Sequence, residues 1–78
     1  AQVKLTATEA GRAFKSGDYN KALTELNVLL EQYPDDAVTI LRYIGISYHR
    51  LAQYEKAIAA FEKALEIDPQ NVPALFYM

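Results

Sequence analysis

The sequence predicts an all-α fold of antiparallel helix pairs, and three observations predict it. Apolar residues recur at helical spacing: Leu41, Ile44, Gly45 and Tyr48 fall at i, i+3, i+4 and i+7, and Ala57, Phe61 and Ala64 mark a second such face. Leu51-Ala52-Gln53 separates the two faces as a tight turn. The first half also overlays the second. Tyr19, Ala22, Leu26, Leu29 and Pro34 each stand 35 residues before Tyr54, Ala57, Phe61, Ala64 and Pro69, an internal repeat of a two-helix unit. Finally, small residues lie where helices must approach. Gly45 costs a helix interior about 1 kcal/mol against alanine, and close packing beside Tyr48 and Phe61 is the expected compensation.

Taken in order, residues 3–16 form the first helical segment, with Ala10, Ala13 and Phe14 on its apolar stripe. Gly17-Asp18 breaks it: glycine tolerates the left-handed conformation that ends helices, and aspartate caps the next one. The second segment covers 19–33, with Ala22, Leu23, Leu26, Leu29 and Leu30 facing inward. Pro34 stops it, because proline disfavours helix at the preceding residue. Asp35 and Asp36 open the third helix, where negative charge suits the positive end of the dipole; that helix runs to about residue 51. The fourth covers 53–67 and closes at Asp68-Pro69. Asn71 and Pro73 open a fifth segment, 72–78, which is short and rich in Leu75, Phe76, Tyr77 and Met78.

The chain has 78 residues, enough for one domain spanning 1–78. Net charge is −2, which does not suit nucleic acid or an anionic membrane. There is no cysteine, so disulfides, thiolate metal sites and cysteine nucleophiles are excluded. No apolar run approaches the roughly 18 residues of a membrane span. The chain opens on Ala1 rather than methionine, which fits a processed or excised segment. Nothing calls for a cofactor: there is one histidine, His49, and no HExxH, GxSxG or glycine-rich phosphate loop. The chain therefore reads as non-enzymatic.

The spacing Leu41-x2-Ile44-Gly45-x2-Tyr48, Ala57-x3-Phe61 and Pro69 resembles the tetratricopeptide repeat (TPR). Repeat two, 38–71, meets nearly every signature place. Repeat one, 3–36, meets it through Ala10, Ala13, Gly17, Tyr19, Ala22, Leu26 and Pro34, and 72–78 looks like the opening of a third. The structural positions are thus Ala10, Tyr19, Ala22, Leu26, Pro34, Leu41, Gly45, Tyr48, Tyr54, Ala57, Phe61, Ala64 and Pro69. The resemblance implies an α-solenoid, a TPR-like superhelix whose concave groove is lined by the first helix of each pair. It implies a protein- or peptide-binding scaffold. The family's carboxylate clamp uses lysine and asparagine at places that here hold Ala7, Gly11 and Tyr43, so that clamp is not expected.

Carried onto this sequence, the groove face takes Lys4, Ala7, Thr8, Gly11, Phe14 and Lys15 from repeat one and Thr39, Arg42, Tyr43, Ile46, His49 and Arg50 from repeat two. Lys15, Arg42, His49 and Arg50 would supply charge and hydrogen bonds, and Phe14, Tyr43 and Ile46 apolar contact. Such a locally basic face suits a peptide with acidic side chains or a free C-terminal carboxylate. The competing reading is that these cations solubilise the surface or complement helix C-termini. Glu25, Glu31, Glu55, Glu62 and Glu66, beside Lys21, Lys56 and Lys63, read as a solvated, salt-bridged outer face. An alternative function is assembly: an array with two repeats has sticky ends, so the chain would form a homo-oligomer through its termini, and Phe76→Asp would release monomers.

Overall fold

The computed structural model describes residues 8–69. Among these are four α-helices, α1 (Glu9–Ser16), α2 (Tyr19–Gln32), α3 (Ala37–Arg50) and α4 (Tyr54–Ile67), and a single 3-10 turn at Pro34–Asp36. No strand occurs among the described residues. The expectations placed on residues 1–7 and on Leu75, Phe76, Tyr77 and Met78 lie outside them.

Each helix packs on the next in chain order, and α3 lies between α2 and α4. One core serves both hairpins: Ala10 and Ala13 of α1, Ala22, Leu23, Leu26 and Leu29 of α2, Ile40, Leu41 and Ile44 of α3, and Ala60 and Ala64 of α4. Small residues dominate α1 and α4, so the backbones approach closely. Gly45 is the tightest point. A Cβ built there would lie 2.5 Å from Cε1 of Phe61, whose side chain is fully buried. The glycine is therefore required by the phenylalanine, as the sequence spacing suggests. Phe61 and Ala57 are joined by half-buried Ile46, Tyr48 and Leu65.

The two hairpin turns share one geometry. In the first, the Gly17 amide donates to the Phe14 carbonyl (3.2 Å) and the Asp18 amide to that of Ala13 (2.9 Å). In the second, the Ala52 amide donates to the His49 carbonyl (3.0 Å) and the Gln53 amide to that of Tyr48 (2.9 Å). Both are Schellman closures, with the left-handed residue at φ 88° in Gly17 and φ 61° in Ala52. Glycine adopts that conformation freely; alanine does so against its Cβ. Asp18 then caps α2 by accepting from the Lys21 amide (3.3 Å), whereas the Gln53 side chain caps nothing.

The helix ends depart from the sequence reading at several points. The first helix was expected over 3–16 but begins at Glu9. Thr8 is extended (φ −96°, ψ 166°) and its Oγ1 accepts from the Gly11 amide at 3.1 Å, so it is an N-cap. Asp35 and Asp36 stand with Pro34 in a 3-10 turn directly before α3, which starts at Ala37 with Asp36 at its N-cap position but no side-chain cap bond. At the other ends, α2 stops at Gln32, α3 at Arg50, and α4 starts at Tyr54, each one residue inside the expected limit.

Candidate functional site

Face α1 and α3 side by side and the predicted groove residues fall into two groups. The apolar ones are engaged in holding the repeats together. Phe14 stands edge-on to Tyr43 (centroids 4.9 Å, 87°) and to Tyr19 (5.6 Å, 83°), so one ring ties α1 to both α2 and α3. Edge-to-face pairs of this kind contribute about 0.5–1.5 kcal/mol beyond the area they bury. Ile46 leans on the Ala57–Phe61 pair. Phe14, Tyr43 and Ile46 are each half-buried, leaving part of every side chain to solvent.

The polar ones are more available. Lys15 and Arg50 are exposed at the last turns of α1 and α3, where positive charge complements the helix dipole. His49 is half-buried, its ring edge-on to Tyr54 (5.2 Å, 70°). Arg42 differs from all of these. Its side chain is half-buried, and its Nε is fully buried without a hydrogen-bond partner among the described residues. A buried N–H left unpaired costs about 1–3 kcal/mol, and buried polar groups normally find an acceptor. Arg42 thus holds an unfilled donor on the helix that the family resemblance assigns to the groove.

The remaining charges are arranged otherwise than the sequence suggested. Glu9 collects two cations, Arg12 at 3.4 Å on its own helix and Lys21 at 3.5 Å across the first hairpin. Arg12 and Lys21 are therefore occupied on an exposed surface, where such pairs add little to stability. The expected salt-bridged outer face is not formed: Lys56 and Lys63 make no ion pair with any described residue. Glu55 and Glu62 each stand one residue before a lysine, about 100° round α4, so those pairs do not face each other, and Glu66, three residues beyond Lys63, makes no ion pair with it. Lys56 instead places its Nζ 5.8 Å from the Tyr48 ring centroid. No helix among the described residues is long and apolar enough to cross a membrane.

Comparison with known proteins supplies the family. A tetratricopeptide repeat model matches residues 38–71, and a second tetratricopeptide repeat model matches 9–36, together most of the chain. The chain is 31% identical over 67 residues to the Protein CTR9 homolog of Arabidopsis thaliana, covering 86% of this chain and 6% of that one. It is 36% identical over 61 residues to the probable UDP-N-acetylglucosamine–peptide N-acetylglucosaminyltransferase SEC of the same plant, covering 78% of this chain and 6% of that one. The chain thus spans about 6% of the length of these curated relatives. No solved structure gives a significant match.

Proposed function

The chain belongs to the tetratricopeptide repeat family, a family of protein–protein interaction repeats without catalytic machinery of their own, and on that premise we propose that it is a non-enzymatic module that binds an acidic peptide along α1 and α3. The observation that carries this is Arg42. A peptide carboxylate paired with the exposed part of the half-buried Arg42 guanidinium would offset the cost of its unpaired Nε, and a charge-assisted bond to a planar guanidinium is the strong form of that contact. Lys15 and Arg50 lie on the same two helices and add positive charge, and His49 adds a hydrogen-bonding ring. The exposed parts of Phe14, Tyr43 and Ile46 supply apolar surface between them.

The test uses three synthetic peptides: a glutamate-rich peptide with a free C-terminus, its C-terminal amide, and a lysine-substituted version. The two acidic peptides bind and the lysine peptide does not; a difference between the acid and the amide measures the share of the terminal carboxylate. Arg42→Glu abolishes binding and leaves the helical circular dichroism signal intact. Equal affinity of wild type and Arg42→Glu contradicts the assignment.

A further inference from the structure

A recess lies on the side of α3 away from Arg42. It is an open cavity of about 250 Å³ between α2 and α4. Leu41, Ile44 and Tyr48 of α3 line it with Leu30 of α2 and Ala60 of α4. On α3, Leu41, Ile44 and Tyr48 are rotated by well over a quarter turn from Arg42 and Ile46. The recess therefore opens away from the proposed groove, and its chemistry is independent of it.

Its only charges are Lys56 and Lys63. They are exposed, spaced seven residues apart on one face of α4, and make no ion pair among the described residues, Lys56 lying over the Tyr48 ring at 5.8 Å. Seven residues of helix rise about 10 Å. The α2 wall is neutral, because Asn27 and Leu30 carry no charge, and the Asn27 side-chain N–H is committed to the Leu23 carbonyl at 2.8 Å. The recess is thus lined mainly by apolar side chains, with two ammonium groups about two helical turns apart on its α4 side. It is smaller than the roughly 300–1,000 Å³ of typical small-molecule sites, and open, which disfavours an enclosed ligand. It is sized for side chains delivered by a partner surface.

We propose that this recess docks an acidic amphipathic helix of a partner protein, with carboxylates at i and i+7 meeting Lys56 and Lys63 and a leucine at i+3 or i+4 entering the slot over Leu41 and Ile44. The carboxylate spacing on such a helix equals that of the two lysines, since both are set by the same rise per residue. One chain would then hold two protein segments, one on each side of α3.

The probe is a stapled helical peptide with glutamate at i and i+7 and leucine at i+3 and i+4, titrated into the 15N-labelled 78-residue chain. The amides of Tyr48, Lys56, Ala60 and Lys63 shift. Lys63→Glu weakens binding about tenfold, as rim charge reversal does, and Lys56→Gln/Lys63→Gln weakens it without any risk of like-charge strain. Arg42→Glu leaves the affinity unchanged, which separates this site from the α1–α3 groove. Absence of binding at millimolar peptide overturns the proposal. So does binding that ignores Lys63→Glu, or occupancy of the recess by decanoate in preference to the peptide.

Discussion

Replacing Gly45 with alanine would put a methyl group 2.5, 2.7 and 2.8 Å from Cε1, Cζ and Cδ1 of Phe61. Carbon atoms pack at about 3.5–4.0 Å, so the ring or the α3 backbone must move by roughly 1 Å. Phe61 is fully buried and cannot swing out. Overpacking of this kind costs about 1–3 kcal/mol, while alanine returns about 1 kcal/mol of helix propensity. The net effect is destabilisation of about 1 kcal/mol, the clash outweighing the propensity gain. Urea unfolding followed at 222 nm reads this as a midpoint lowered by about 0.5–1 M at unchanged slope. Phe61→Leu in the same chain relieves the contact, so the double variant is more stable than the two single effects predict by about 1 kcal/mol. A Gly45→Ala chain as stable as wild type, or more so, refutes the packing described between α3 and α4.

The two hairpin turns give a matched pair of predictions. Ala52→Gly removes the left-handed strain at φ 61° and raises stability by about 1 kcal/mol, whereas Gly17→Ala at φ 88° introduces the same strain and lowers it by a similar amount. Both are read from the urea midpoint. Gln53→Asp supplies α4 with the cap that Asp18 gives α2 and adds about 0.5–1 kcal/mol by the same assay.

Period and register made the fold legible. Leu41, Ile44 and Gly45 at helical spacing, and five positions repeated after 35 residues, are enough to place two hairpins, because burial of one helix face leaves its mark on every turn. Helix ends were harder. Nothing in Thr8 by itself separates a capping threonine from a helical one, and Asp35-Asp36 satisfies both a first turn and a 3-10 turn. The left-handed Ala52 was visible only by aligning it with Gly17. Of the proposed site, the resemblance offers a helix face, and the state of its side chains lies beyond the sequence. Periodicity cannot show that Phe14 and Tyr43 are spent on each other, that Ile46 braces Phe61, or that Arg42 Nε is buried without an acceptor. Nor could it separate Lys21, which reaches Glu9 across the hairpin, from Lys56 and Lys63, which line a recess and make no ion pair among the described residues.

The most direct test of the binding account is the side-chain Nε–H resonance of Arg42, followed in a 1H–15N spectrum as the acidic free-carboxylate peptide is added. A donor that gains a carboxylate moves downfield and exchanges more slowly with water, and the amides of Ile46 and His49 titrate with it at the same affinity. An Arg42 Nε–H signal that stays in place while the peptide saturates the chain elsewhere contradicts the account.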